Sequence, residues 1–360
     1  MDSLERVLFA GNGFNCLDRN YVSWGELSKR LFKKFGVYDT YLRLFVENIS
    51  PYMQYELLAR AIQEKNGKFD EEDDEKIRQE IASLTSKSLH PSSVHIDAVK
   101  SFDQIITMNY DACFENAAIH DSDKIYPPSS IDKISKLKVS IPREQAIDGL
   151  RTTAVWHAHG AVSEKGMVNT LCMWFNTYIR NVGELKSELY PLLFSKKKSR
   201  DSSQIRKVVS EMQQKGTYSG KITSWVQLFF CANIDIIGTE LSYDEIDVWW
   251  ILSCRSKLIR QGVLPRGFNS IRYFMLKPYA GCKMSEKNVA KISLLKSMDV
   301  DIVFIDPQDY FTENRIFLSD DKSVNLHELA SPPLHSDLYN TKWYYKKCMS
   351  IDIMQVSLSD

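Results

Sequence analysis

The chain has no C-x-x-C pair anywhere in its 360 residues. Its seven cysteines stand apart, at Cys16, Cys113, Cys172, Cys231, Cys254, Cys282 and Cys348. That scatter argues against a structural cysteine–zinc site and against a disulfide framework. No zinc is expected, and a reducing, cytoplasmic setting suits this cysteine usage. Net charge is lacking too. Lys+Arg and Asp+Glu both total 46, so no excess of either sign points to nucleic acid or to a membrane. No run of about 20 apolar residues is present to span a bilayer. The N-terminus lacks the basic-then-apolar pattern of a signal sequence. Internal repeats are absent. A chain of this length buries a large core, in one large domain or two smaller ones.

What is present is organised around Arg6 to Asn15, RVLFAGNGFN. A short apolar run (Val7, Leu8, Phe9, Ala10) meets a turn built on Gly11 and Gly13. Strand, glycine turn and a helix from about Ser23 is the opening of a nucleotide-binding α/β domain. Glycine permits positive φ and lets backbone approach a phosphate closely. A helix N-terminus then offers free N–H groups to the anion. The third glycine of a G-x-G-x-x-G fingerprint is missing, because Cys16 stands there. The same residues would also build an ordinary tight turn.

Downstream, Ser23 with Glu26 predicts a capped helix bearing Leu27, Leu31 and Phe35. Ser50-Pro51 starts a second helix with Leu57, Leu58, Ala61 and Ile62 inward. The acidic stretch Phe69 to Lys76 reads as a solvated loop leading into a helix from about Asp74 to Ser86. Residues 20–100 therefore form a helical insert after the first strand. Phe102 to Met108 is the next strand, followed by a short helix from Cys113 to His120. Residues 121–150, with Pro127-Pro128 and Pro142, read as loop. Thr153 to His157 is a strand, Leu171 to Phe194 a helix, and Ser195 to Ser203 a charged solvated loop. Ser224 to Cys231 is helical, Ile234 to Ile237 a strand, and Glu245 to Gln261 a helix with Val248, Ile251, Leu252 and Leu258 inward. Ile271 to Leu276, Ser285 to Met298 and Ile302 to Ile305 complete a further β-α-β unit, and the tail from Phe317 has no clear pattern.

This alternation predicts a Rossmann-like, mostly parallel sheet with helices on both faces. Gly11-Asn12-Gly13, Asn109, His159-Gly160 and Gly238-Thr239 each fall just past the C-terminal end of a predicted strand. In an open α/β sheet that edge is where ligands bind.

Gly11-Asn12-Gly13-Phe14-Asn15, Thr107-Met108-Asn109-Tyr110-Asp111, His159-Gly160 and Gly238-Thr239-Glu240-Leu241-Ser242, taken together, resemble the sirtuin-like NAD hydrolases of bacterial antiphage defence. AbiH-type abortive-infection proteins share the early Gly-Asn-Gly-Phe pattern and are a close neighbour. The resemblance covers residues 6–305. It implies a sirtuin-like NAD-binding domain over 1–310 and a C-terminal extension over 311–360. It implies Asn109 and His159 as catalytic residues, the amide positioning a water or ribose hydroxyl and the imidazole acting as base. Gly11, Asn12, Gly13, Phe14 and Asn15 would hold the pyrophosphate side. Gly238, Thr239 and Leu241 would serve the adenosine end, and Thr107 and Asp111, beside Asn109, would also bind the cofactor. Asp111 reads as a cap for the following helix, and His157 as structural.

Two departures favour a bare hydrolase over a deacylase. The cysteine pairs of a zinc module are missing, and no segment matches an acyl-lysine site. Glu240 stands where many relatives carry Ser. The substrate is then NAD, cleaved to nicotinamide and ADP-ribose. Partners expected are further copies of the chain or a companion defence protein, with no membrane and no nucleic acid. A nucleotide-sensing subunit that does not hydrolyse remains open. So does an oxidoreductase, which needs an acidic ribose ligand about 20 residues past the glycine turn, where the insert lies.

Overall fold

The computed structural model describes residues 4–17, 22–37, 49–86, 91–119, 136–141, 153–162, 174–193, 210, 222–278 and 284–305. The Ser195 to Ser203 loop, the tail from Phe317 and the proposed 311–360 extension lie outside these residues.

Among the described residues, seven strands form one sheet: β1 (Arg6–Ala10), β2 (Gln104–Thr107), β3 (Lys138–Ile141), β4 (Thr153–His157), β5 (Asn233–Ile237), β6 (Ile271–Leu276) and β7 (Asp301–Ile305). Their spatial order is β3-β4-β2-β1-β5-β6-β7. All neighbours are parallel except β3, which runs antiparallel to β4 at one edge. Without β3, the order of the parallel strands is third, second, first, fourth, fifth, sixth, the order of a doubly wound, Rossmann-like sheet. The strand order reverses between β1 and β5.

β1 and β5 carry apolar side chains on both faces because both faces are covered by helices. Alternation along β1 separates two cores. Val7 and Phe9 join Trp225, Phe229, Val248 and Leu252 on one face. Leu8 and Ala10 join Val99, Phe102, Phe114 and Ala117 on the other. The first face is covered by α7 (Trp225–Cys231), α8 (Ile246–Arg260) and α9 (Glu286–Ser297), and the second by α4 (Ser93–Ser101) and α5 (Cys113–Ala118).

The described residues between β1 and β2 form a 3-10 helix over Asn12–Leu17 and then α1 (Trp24–Lys34), α2 (Pro51–Asn66), α3 (Glu71–Ser86) and α4. Ser23 and Ser50 cap α1 and α2 through their hydroxyls. The first three helices share their own core of Leu27, Leu31, Phe32, Tyr55, Leu58, Ile62, Ile77 and Ile81. Tyr110 and Val162 belong to that core as well. They follow β2 and β4, so the insert packs against the C-terminal edge of the sheet. The remaining helix, α6 (Phe175–Leu193), joins it there.

The helix expected at Ser23 is α1, and a 3-10 helix over Asn12–Leu17 precedes it. Three expectations are corrected. The acidic stretch is helical from Glu71, not from Asp74. Acidic groups favour the positive end of the helix dipole, and the Asp70 carboxylate accepts from Glu72 and Asp73 N–H. The stretch 121–150 contains β3, whose four residues pair with β4 as an edge strand ahead of Pro142. On α2 the buried residues are Tyr52, Gln54, Tyr55, Leu58 and Ile62, so Leu57 and Ala61 sit at its margin.

Candidate functional site

The parallel order puts the turns after β1, β2, β4 and β5 on one edge. Gly11 to Gly13 and Gly238 meet at the point where the strand order reverses. Gly11 N–H donates to the Ile237 carbonyl at 3.0 Å, and Gly13 N–H to the Gly238 carbonyl at 2.6 Å. A Cβ on Gly13 would lie 2.6 Å from that carbonyl oxygen, and one on Gly238 (φ 71°) would lie 2.8 Å from Phe14 N. These glycines are required because two backbone turns touch. The Gly11 and Gly13 N–H groups are spent on that contact.

Several residues singled out in sequence support the edge from behind. Phe14 is buried against Phe114, ring centroids 5.5 Å apart. Asn15 donates to the Asp111 carboxylate at 2.7 Å, and its carbonyl oxygen meets His95 Nε2 at 3.0 Å. Asp111 also accepts Cys113 N–H, at the first residue of α5, at 3.0 Å, while Ala112 holds the N-cap position. Asn12 donates to the Val22 carbonyl at 3.2 Å. Thr107 Oγ1 accepts Asn109 N–H at 3.0 Å. Thr239 Oγ1 accepts from Leu241 N–H at 3.0 Å, and Leu241 is buried with φ 48°. The Tyr273 hydroxyl contacts the Thr239 and Glu240 carbonyls at 3.0 Å each, and Lys291 Nζ donates to the Glu240 carbonyl.

Asn109 differs. Its Nδ2 donates weakly to the Gly11 carbonyl at 3.4 Å, while its buried Oδ1 has no hydrogen-bond partner among the described residues. An orphaned buried acceptor costs about 1–3 kcal/mol, a cost borne where a ligand can supply the donor.

His159 sits in a second, denser cluster. Its Nε2 is 2.9 Å from Asp247 Oδ2 and 3.7 Å from Glu245 Oε2. Its Nδ1 is 3.4 Å from the Tyr52 hydroxyl, which is also 3.4 Å from Glu245 Oε2. Tyr178 donates its hydroxyl to Asp247 Oδ1 at 2.8 Å, and Val248 N–H adds 2.9 Å to the same oxygen. Burial alone would lower the His159 pKa, but Asp247 opposite outweighs it and raises it. Burial would raise Asp247, and the His159 charge holds it below the ordinary carboxylate range. Glu245 is pushed up to about 7, by burial first and then by Asp247, against the lowering pull of His159. Burial raises both tyrosines, which are hydrogen-bond donors rather than acids here.

His157 faces elsewhere. Its Nε2 pairs with the Glu115 carboxylate of α5, and its Nδ1 is 3.3 Å from the Asn109 carbonyl. Sequence reading singled out His159 but missed its partners. Glu245 and Asp247 figured only as residues at the start of the helix from Glu245 to Gln261. Tyr52 and Tyr178 carry no local signal, since they lie on helices far from β4 in the chain.

No helix among the described residues is long and apolar enough to cross a membrane. No protein-family model and no curated protein matches this chain.

Proposed function

We propose that this chain hydrolyses NAD to nicotinamide and ADP-ribose, as a latent antiphage effector that depletes NAD once triggered. The observation that carries the reading is the buried Asn109 Oδ1, which has no partner among the described residues and lies beside the Gly11–Gly238 contact, at the reversal point of the strand order. Ligands of doubly wound sheets bind at that crevice.

In this reading Asn109 accepts a hydrogen bond from a ribose hydroxyl or the attacking water. The nicotinamide–ribose bond breaks with its electron pair going to the pyridinium nitrogen, so nicotinamide leaves neutral. The oxocarbenium-like centre is captured by water, whose proton passes to His159. Asp247 fixes the imidazole orientation and balances its charge. Both ring nitrogens are engaged, Nε2 by Asp247 and Nδ1 by Tyr52. The Tyr52 hydroxyl thus stands where a substrate hydroxyl would meet the base, which supports a closed, latent state. Latency also has a kinetic argument. At about 10 turnovers per second, about 1 μM enzyme would exhaust about 1 mM NAD within minutes. A partner, or assembly of several copies, is the proposed switch.

A non-hydrolytic nucleotide sensor is favoured by the same double engagement of His159. The deciding experiment incubates the purified chain with NAD, alone and with the products of neighbouring genes. Chromatography follows nicotinamide and ADP-ribose, and calorimetry follows binding. Release of both products supports the hydrolase. Saturable binding without release, in every mixture, supports the sensor and overturns hydrolysis.

A further inference from the structure

His159, Asp247 and Glu245 each offer one ligand atom, and the three atoms lie within 4.8 Å of one another. We propose that they form a binding site for one divalent transition-metal cation, Zn2+ above the others. For tetrahedral Zn2+ with bonds of about 2.0–2.1 Å, ligand atoms stand about 3.3 Å apart. The contacts from Nε2, 2.9 Å to Asp247 and 3.7 Å to Glu245, bracket that value. One imidazole and two carboxylates suit Zn2+, and three protein ligands leave the fourth position open.

The surroundings supply the independent support. A metal-ligating histidine has its other nitrogen held, and ligating carboxylates are themselves hydrogen-bonded. The Tyr52 hydroxyl meets His159 Nδ1. Tyr178 and Val248 N–H take Asp247 Oδ1, leaving Oδ2 to face the centre. Asp247 is 0% exposed. A proton on Nε2 bridges it to one carboxylate, whereas a dication at the centre serves all three groups. The cysteine pattern that argued against zinc bears on thiolate sites and leaves this donor set untouched. Binding of the ion does not depend on the NAD reading. If that reading holds, the ion takes Nε2 from its pairing with Asp247, and metal-loaded and hydrolytic states exclude each other.

The test uses the full chain without NAD. Zn2+ is titrated in competition with a chromophoric chelator, Co2+ spectra report the ligand type, and circular dichroism confirms folding. The expected result is one ion per chain with a tetrahedral oxygen–nitrogen cobalt spectrum. Glu245→Gln should weaken Zn2+ at least about tenfold, and Tyr178→Phe, which keeps every ligand, about tenfold or more. If Asp247→Asn fails to fold, those two variants decide. No bound ion, a sulfur-to-cobalt charge-transfer band, or wild-type affinity in Glu245→Gln and Tyr178→Phe would each overturn the site. None of these outcomes depends on whether NAD is hydrolysed.

Discussion

The ring of Tyr178 lies flat on that of Tyr52, their centroids 4.0 Å apart and their planes 8° from parallel. The hydroxyls diverge, one to Asp247 and the other to His159. The stack joins α2 of the insert to α6, and it sets the two ends of the His159–Asp247 pair at once.

Tyr52→Phe keeps the stack and removes the hydroxyl from His159 Nδ1. Losing one such hydrogen bond shifts an equilibrium by about 0.5–1.5 kcal/mol. Nicotinamide release by the isolated chain should therefore rise about twofold to tenfold over wild type. An unchanged or lower rate, with the fold intact, would mean that the hydroxyl does not hold the base closed.

Asn109→Ala and His159→Ala should each lower NAD hydrolysis about 10²–10⁴-fold. Asp247→Asn should act in the same direction, because it loosens the orientation of the imidazole. Rates are measured on the activated protein, with thermal melts to confirm folding. A variant with near-wild-type turnover removes that residue from the chemistry.

Gly238→Ala should destabilise the fold by about 1–3 kcal/mol, since it strains a left-handed residue and drives a Cβ into Phe14 N. Gly25→Ala in α1 is the control. A Cβ there meets nothing within 4 Å, and a helical glycine costs about 0.5–1 kcal/mol against alanine. Denaturant titration should move the two midpoints in opposite directions.

The His157–Glu115 pair predicts a pH dependence of stability. Burial lowers the His157 pKa, but the Glu115 charge and hydrogen bond outweigh it, so the folded value stands above 6.5. A raised folded pKa means stability fully present below the unfolded value and lost as pH rises through the folded one. The stability gap between wild type and Glu115→Gln should be widest near pH 6 and narrow toward alkaline pH, by about 1.4 kcal/mol for each tenfold gain in the proton affinity of His157 on folding. His159 remains in both proteins, so its own titration cancels. A gap that widens with pH would reverse the assignment.

Local pattern explains what was legible beforehand. Val7 to Ala10 and Ile234 to Ile237 read as strands because buried parallel strands are short apolar runs. The turns that follow them stand out for Gly11, Gly13 and Gly238. Asn109 and His159 were found because each follows such a run directly. β3 escaped because an edge strand of four residues next to Pro142 carries little apolar signal.

The sequence by itself determined the alternation of strand and helix, and hence the doubly wound sheet with its turns gathered at one edge. Hydrophobic period and turn chemistry are properties of adjacent residues. Tertiary structure alone decided which polar groups meet. Tyr52, His159, Tyr178 and Asp247 come from α2, the turn after β4, α6 and α8. Nothing in their local spacing encodes that meeting. The insert brings Tyr52 there by packing its own core onto Tyr110 and Val162 at the sheet edge. The pairing of β1 with β5 sets the Gly11 and Gly13 N–H groups against the end of the neighbouring strand and its turn, and Asn109 Oδ1 has no partner among the described residues.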